Sequence, residues 1–307
     1  MKNFLFHRVN PERDILWDPM DPVLFEKCIK YISKKYKVIL FEDFYTNYNE
    51  YLNIEKKLAT IMFDDGYKDN FDFAIPILQK YNVKASFYVV TDCIDKNIPT
   101  WTHILEYSFL NTKKNKLILN FDFLVEEYKE SNFESLEEKI KFVNKLKPYL
   151  KTIKHVDREV VLNKILQEFD DIELPNLMMN WNEIREIVKL GHYVGSHTKS
   201  HLMLGTIDSK VLILDELMHS AKRIESELGY FPLTISYPVG SYSNLVKELS
   251  NEVGYKIGLA VKQDEYIPNK NDFFEVERIE LYNEKWLKTW LRITHILEKI
   301  KKIIRYR

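Results

Sequence analysis

Residues 59–67 read Ala-Thr-Ile-Met-Phe-Asp-Asp-Gly-Tyr, an apolar run that ends in two neighbouring carboxylates and a glycine. The run predicts a buried strand, and Gly66 permits a sharp turn directly after it. Two adjacent carboxylates at the end of a buried strand repel each other and lose hydration, which raises both pKa values unless a cation compensates them. One carboxylate can therefore bind a metal ion while the other acts as a base, although an ordinary Asp-Asp-Gly turn gives the same pattern.

The strand-and-turn pattern recurs along most of the chain. Strand-like runs also occupy residues 4–9, 37–41, 85–90, 193–196, 233–237, 256–260 and 275–281. Segments with helical periodicity lie between most of these runs, at residues 22–35, 70–81, 181–190, 209–228 and 243–253. Strands that alternate with helices indicate parallel βα units, and about eight strands indicate an α/β fold of the (β/α) barrel type.

One segment, residues 101–180, breaks this alternation because it is mostly charged and helical in pattern. We expect a helical insertion in one loop of the barrel, which either shapes a cleft or packs as an appendage. The expected organisation is a barrel over residues 1–282, including the insertion, followed by a basic amphipathic helix over residues 283–307.

The composition excludes several classes of protein. The 307 residues are 45% hydrophobic and 30% charged, which is typical of a globular chain. Two cysteines cannot form a disulfide framework, and a net charge of −1 argues against a nucleic-acid-binding protein. The N-terminus lacks the apolar stretch of a secretory signal, and no apolar run is long enough to span a membrane. These features predict a cytoplasmic protein.

Two histidines offer metal ligands at the end of another predicted strand. His197 and His201 are four residues apart, a spacing that places both imidazoles on one side of a helical turn. Together with Asp65 they form a set of two histidines and one carboxylate, which leaves coordination positions open for water and substrate. Residues 235–242, Ile-Ser-Tyr-Pro-Val-Gly-Ser-Tyr, predict only a further strand followed by a turn.

The order of these three motifs resembles a known family. Phe-Asp-Asp-Gly at 63–66, His-Thr-x-x-His at 197–201 and Tyr-Pro-x-Gly at 237–240 resemble the polysaccharide deacetylases of the NodB-homology group, carbohydrate esterase family 4. The resemblance covers residues 4–100 and 181–281. It implies a distorted (β/α) barrel of seven or eight strands and a divalent metal ion, usually Zn²⁺.

The resemblance also implies a reaction and residue roles. The reaction is hydrolysis of the N-acetyl amide of an amino sugar in a glycan or glycan precursor, with release of acetate. Asp65, His197 and His201 would hold the metal ion, which activates water and polarises the amide carbonyl. Asp64 would be the general base, and the backbone N–H of Val239 would stabilise the oxyanion.

The chain departs from the family pattern at two positions. Many members have an arginine where Ser236 stands, and that arginine orients the base; Arg278 is a candidate substitute, or else an ordinary salt-bridged arginine. The Leu-x-x-His motif that supplies the catalytic acid in many members has no convincing match near the C-terminus. A subgroup instead has a Tyr-His-x-Val-like strand end, which Phe6-His7-Arg8-Val9 resembles, so His7 is the predicted general acid rather than a structural histidine.

Two aromatic residues are candidates for substrate binding. Trp101 and Tyr242 lie where loops over the site are expected, and an aromatic ring there can stack on a sugar. Packing in the core is an equally good interpretation of both.

The C-terminal segment hides a charge imbalance. Residues 285–307 contain eight basic residues and one acidic residue, a charge of +7, which leaves −8 for the rest of the chain. One helical stripe carries the apolar residues Trp286, Trp290, Ile293, Leu297, Ile300 and Ile304. Such a helix is typical of peripheral contact with the inner face of a membrane, while packing across the barrel or a dimer contact is the alternative.

These features bear on the substrate. A cytoplasmic deacetylase is expected to meet an acylated amino-sugar saccharide or its lipid-linked or nucleotide-linked precursor. The alternatives are a deformylase or O-deacetylase on such a sugar, and a sugar-binding pseudoenzyme. The presence of Asp64, Asp65, His197 and His201 argues against the pseudoenzyme.

Overall fold

The computed structural model describes residues 1–268, 270 and 272–298. The strands in this part of the chain are β1 (Lys2–Phe6), β2 (Lys37–Val38), β3 (Leu58–Phe63), β4 (Ser86–Val89), β5 (Lys116–Ile118), β6 (Glu130–Asn132), β7 (Tyr193–Ser196), β8 (Thr234–Ser236), β9 (Ile257–Leu259) and β10 (Ile279–Glu280). The helices are α1 (Pro22–Lys35), α2 (Phe41–Thr46), α3 (Tyr48–Leu52), α4 (Ile75–Lys80), α5 (Thr91–Lys96), α6 (Trp101–Asn111), α7 (Glu126–Lys129), α8 (Leu136–Leu150), α9 (His155–Glu168), α10 (Trp181–Lys189), α11 (Lys210–Leu228), α12 (Asn244–Val253) and α13 (Trp286–Ile293).

A parallel sheet curls into an incomplete barrel, which confirms the predicted distorted (β/α) barrel. Seven strands follow the order β10-β1-β3-β4-β7-β8-β9, and β2 pairs with the beginning of β3 as the eighth. Leu259 of β9 forms a parallel bridge with Val276, just before β10, so the two ends of the sheet approach each other. Because all the strands are parallel, their carboxyl ends lie at one edge, where ligands bind in such folds.

The predicted helices form because their ends are capped. Asp21 accepts hydrogen bonds from the amides of Val23 and Leu24 at the start of α1, with Pro22 in the first turn. Asn180 and Glu183 form a capping box at the start of α10. The helix predicted over residues 70–81 is also present. It begins with a π-helical turn at residues 70–74 and continues as α4.

The predicted strand at residues 37–41 is shorter in the structure. Ladder pairing covers only β2 and one further hydrogen bond from the amide of Ile39, and α2 begins at Phe41. Phe41 and Phe44 of α2 pack into a core cluster that also contains side chains of β3, β4 and β9. Their composition resembles that of a strand, although their packing is that of a short amphipathic helix.

The insertion has a hydrophobic core of its own. Helices α6, α8 and α9 pack around the antiparallel pair β5–β6. Buried residues of this cluster include Phe109, Leu117, Val143, Leu146 and Ile165. The insertion is therefore a packed subdomain placed beside the carboxyl edge of the sheet.

The C-terminal helix packs on the barrel where the structure describes it. The Trp290 indole donates a hydrogen bond to the Tyr31 hydroxyl of α1 (3.1 Å), and Trp286 meets the Tyr31 ring edge-on at 5.9 Å. The Lys2 ammonium donates to the carbonyl of Ile293 (2.7 Å). The sequence left membrane contact and packing across the barrel open for these two tryptophans. In the structure they contact α1, and that pairing buries the apolar stripe within the protein. Residues 299–307, which carry Ile300 and Ile304 of the stripe and five of the eight basic residues, lie outside the described residues.

Candidate active site

The two carboxylates of the first motif lie at the carboxyl end of β3, where the backbone turns sharply. Asp65 and Gly66 have φ values of 76° and 90°. A side chain at Gly66 would meet Ile94 and Val89 at about 3 Å, so only glycine fits this turn. Asp64 and Asp65 are both almost fully buried. The turn directs two neighbouring carboxylates into one cleft, which a regular strand cannot do.

The two histidines follow β7 but do not lie on a helical turn, which corrects the prediction from their spacing. Thr198 and His201 have positive φ values of 66° and 63°, so residues 197–201 form a loop. The Ser196 and Thr198 hydroxyls accept hydrogen bonds from the amides of Thr198 and His201, both at 3.1 Å. Side-chain contacts that replace helical hydrogen bonds therefore bring the two imidazoles together.

Asp65, His197 and His201 form a compact set of possible metal ligands. The Nε2 atoms of both imidazoles lie 3.3 Å from the Asp65 Oδ1 atom, and the three ligand atoms lie within 4.8 Å of one another. The His197 Nδ1 atom lies 2.8 Å from the carbonyl oxygen of Ser236. A carbonyl only accepts, so Nδ1 carries the proton and the Nε2 lone pair faces the centre. The donor types and spacing fit a divalent ion such as Zn²⁺.

Asp64 is held by a buried arginine. The Arg278 Nη1 atom donates to Asp64 Oδ1 (2.8 Å), and its Nη2 atom donates to the Ser236 hydroxyl (3.0 Å), which in turn donates to Asp64 Oδ2 (3.1 Å). Burial by itself would raise the pKa of Asp64, but the guanidinium and the neighbouring His197 bring it below its usual range. Asp64 is therefore kept ionised and fixed in orientation, as a general base requires.

The third motif forms a strained turn at the cleft. Val239 has a φ of 58°, an unfavourable value for a β-branched residue, and it lines the cleft. Tyr242 follows this turn in the chain; its half-buried ring stacks on that of Tyr237 at 5.0 Å, and the Lys262 ammonium lies 5.7 Å from its centre. Among the described residues, those that line the cleft do not include Tyr242.

His7 lines the cleft directly after β1, and in the sheet β3, β4 and β7 lie between β1 and β8, which precedes the third motif. Its Nδ1 atom is 3.5 Å from Glu280 Oε1 on β10, and its ring packs edge-on against Trp17 at 5.7 Å. The Asn70 side chain donates to its carbonyl oxygen (2.8 Å). Neither Glu280 nor Trp17 was predicted from the sequence; Trp17 lies in a loop without a motif or a periodic pattern.

The cleft that these residues surround measures about 190 Å³. The insertion supplies one wall of it, so of the two interpretations that the sequence left open, the structure favours a segment that shapes the cleft. The residues of that wall are Thr102 and Glu106 from α6, and Lys147 and Lys151 from the end of α8. A second cavity of about 260 Å³ adjoins the first through His7, Trp17 and Glu280.

Trp101 does not reach this cleft. It is 9% exposed and belongs to the core of the insertion, where the guanidinium of Arg158 lies 5.3 Å from its ring. The predicted sugar contact therefore finds no support in its position, because the first turn of α6 directs the ring into the insertion core.

Comparisons with known proteins agree with this geometry. The polysaccharide deacetylase family matches residues 51–258. The chain belongs to the polysaccharide deacetylase family. Membership of this family indicates that the protein is an enzyme that hydrolyses acetyl groups from sugars. A search among curated proteins gave no significant match.

Solved structures of deacetylases share the fold. The Streptococcus pyogenes deacetylase PplD in complex with acetate superposes with a TM-score of 0.62 at 16% identity, over 95% of this chain and 96% of that one. A de-N-acetylase from Aggregatibacter actinomycetemcomitans gives a TM-score of 0.58 at 16% identity, over 92% and 95%. IcaB from Ammonifex degensii gives 0.58 at 15% identity, over 94% of each chain. Among the described residues, no helix has the length and apolar character needed to cross a bilayer.

Proposed function

We propose that this deacetylase is a metal-dependent N-deacetylase that removes the acetyl group from an amino sugar in a glycan or glycan precursor. The observation that carries the proposal is the juxtaposition in one cleft of the ligand set Asp65–His197–His201 with the arginine-held carboxylate of Asp64. A divalent ion bound by that set would act as a Lewis acid on the acyl carbonyl and the attacking water. Zn²⁺ suits two imidazoles and one carboxylate.

The remaining groups of the cleft have proposed roles in proton transfer and charge stabilisation. Asp64 takes the proton of the attacking water, and Arg278 orients it as a positioning residue. The backbone N–H of Val239 faces the oxyanion of the tetrahedral intermediate. His7 protonates the leaving amine, and Glu280 orients its imidazole through Nδ1.

The substrate is proposed to be an acylated amino-sugar saccharide or its lipid-linked or nucleotide-linked precursor. Trp17 gives the cleft an aromatic side suited to a sugar ring, in place of Trp101. The second cavity beyond Trp17 leaves room for a group attached to that ring. Peripheral membrane contact forms no part of the proposal, because Trp286 and Trp290 are engaged with α1.

The test is product analysis on a panel of acylated sugars. Zn²⁺-loaded protein is incubated with N-acetylglucosamine oligomers, the corresponding N-formyl sugars and O-acetylated sugars, and acid and amine products are measured separately. We expect acetate and free amine in equal amounts from the N-acetyl sugars, with loss of turnover on chelation and recovery on adding Zn²⁺. Release of formate alone would contradict N-deacetylation and indicate a deformylase. Release of acetate without free amine would contradict it and indicate an O-deacetylase.

A further inference from the structure

One charged group of the cleft wall is not used by the proposed chemistry. Lys151 follows the last residue of α8 and lines the cleft with Asp64, Asp65 and both metal-binding histidines. Within the described residues, its ammonium group has no ion-pair or hydrogen-bond partner. A half-buried lysine that faces the cleft without a directly paired carboxylate is an unusual feature, because burial removes hydration from the charge and no ion pair or hydrogen bond replaces it.

The carboxylates near Lys151 are already engaged elsewhere. Glu106 is paired with Lys147 across the insertion wall. Glu280 lies beside His7, and Asp65 contacts both metal-binding histidines. Asp64 is held by Arg278. Each of these carboxylates thus has a direct side-chain partner within the protein, whereas the ammonium group of Lys151 has none among the described residues and is available to a ligand.

The backbone of Lys151 is held in place rather than carried on a loose loop. Its amide donates to the carbonyls of Lys147 (3.3 Å) and Pro148 (3.2 Å), which closes the last turn of α8. Arg158 of α9 is fully buried beside this turn. Its guanidinium donates to the carbonyl oxygen of Leu150 (3.5 Å) and also lies against the Trp101 ring. The position from which the ammonium group projects is therefore organised before any ligand arrives.

We propose that Lys151 recognises an anionic group, a phosphate or a carboxylate, carried by the acylated sugar that this enzyme deacetylates. The inference rests on the proposed function, since it assigns the substrate class of the same cleft. A charge-assisted hydrogen bond in a narrow cleft is stronger than one in water, so an anion beside the acylated ring gains affinity from a lysine that has no other partner. Burial and then the neighbouring Lys147 lower the pKa of Lys151, and the more distant carboxylates of Glu106, Glu280 and Asp65 oppose this only in part. An anion bound beside the ammonium group would offset the remaining cost of burying its charge.

The experiment compares neutral and anionic sugars in matched variants. The probes are N-acetylglucosamine, N-acetylglucosamine 1-phosphate and N-acetylmuramic acid, which carry no charge, a phosphate and a carboxylate. Lys151→Met removes the charge and keeps the chain length, and Lys151→Arg restores a charge. Lys145→Met is the control, because Lys145 is an exposed lysine of the same helix and lies outside the cleft lining.

Affinities are measured by calorimetry in the Asp64→Asn background, so that binding does not depend on turnover, and kcat/KM is measured in the wild-type background. We expect Lys151→Met to weaken binding and lower kcat/KM about ten- to hundredfold for at least one anionic probe, through KM, and less than about threefold for the neutral sugar. Lys151→Arg should recover most of the loss, and Lys145→Met should match the wild type. The probe that is affected identifies phosphate or carboxylate as the group recognised.

Two results would overturn the inference while leaving the deacetylase function intact. One is equal affinity of the wild type for all three probes; the other is an equal loss for neutral and anionic probes in Lys151→Met. Failure of the wild type to release acid from any acylated sugar would instead count against the proposed function, and the calorimetric comparison would still decide the role of Lys151.

Discussion

The guanidinium of Arg278, just before β10, reaches Asp64 across more than 200 positions of the sequence. Both groups are fully buried, so each is the main compensation for the charge of the other. Ser236 completes the arrangement by joining Arg278 to the second carboxylate oxygen. Many family members have an arginine at the position of Ser236. In this chain the guanidinium that contacts Asp64 comes instead from Arg278, just before β10.

Replacing Arg278 tests what its ion pair does for Asp64. Arg278→Met leaves the Asp64 carboxylate buried without its cation, so the pKa of Asp64 rises and the base is protonated at a higher pH. We expect kcat to fall roughly hundredfold at neutral pH, and the acidic limb of the kcat profile to move to higher pH. The measurement is a pH–rate profile at constant metal content.

A milder variant keeps this prediction testable if Arg278→Met fails to fold. Ser236→Ala removes one hydrogen bond to Asp64 and leaves the ion pair, so its effect on kcat should have the same direction and be smaller. An unchanged acidic limb in both variants would show that Arg278 has a structural role only.

The site residues that a single sequence reveals are those that lie in motifs. Asp64, Asp65, His197 and His201 lie in short patterns beside strand ends, so they could be identified and placed at one edge of the sheet. Trp17, Glu280 and Lys151 could not, because a single sequence does not tell which loop folds over the cleft or which side of an inserted helix faces it. For the same reason the sequence left both a sugar contact and core packing open for Trp101, whose ring lies in the core of the insertion.

At the scale of elements, His192 joins the beginnings of two neighbouring strands. The amide of Ala85, before β4, donates to His192 Nδ1 at 3.1 Å, and His192 directly precedes β7. Accepting this hydrogen bond requires a neutral imidazole. Burial and the nearby Lys84 lower the pKa of His192 to about 4.

The sign of the resulting pH dependence follows from this pKa. Between pH 6.5 and pH 4 the unfolded chain binds a proton at His192 that the folded chain does not, so stability falls as the pH falls. We expect His192 to contribute a loss of about 2 kcal/mol in the free energy of unfolding between pH 7 and pH 5. Denaturant unfolding of the wild type and of His192→Asn, which keeps an acceptor near Nδ1, measures that contribution as a difference. Equal losses in both proteins would contradict it.

Elements were predicted well where local signals agree and poorly where they do not. The bounds of α1, α10, α11 and α12 follow from capping residues and apolar periodicity. The loop at residues 197–201 was wrongly predicted as a helical turn, because a four-residue histidine spacing also arises when serine and threonine side chains hold a loop.

At the scale of the whole molecule, the barrel, the insertion and the C-terminal helix have different relations to the site. The barrel brings the carboxyl ends of β3 and β7 to one edge and so assembles the proposed base and the proposed metal ligands. The insertion adds a wall with charged groups. Helix α13 packs on α1, on the outer surface of the barrel. The sequence predicted the barrel because βα alternation leaves few topologies, whereas the partner of an amphipathic helix depends on tertiary contacts that its own pattern does not contain.

The central claim is that Asp64 is the base of a metal-dependent deacetylation in this cleft. Acetate release by Zn²⁺-loaded wild type, Asp64→Asn and Asp72→Asn tests it most directly, with bound zinc measured in each. Asp72 is the control, because its carboxylate pairs with Lys68 outside the cleft lining. The account predicts one Zn²⁺ per chain in all three proteins, wild-type turnover in Asp72→Asn, and a loss of about 10² to 10⁴ in kcat for Asp64→Asn. Turnover by Asp64→Asn within about threefold of the wild type, at the same zinc content, would contradict it.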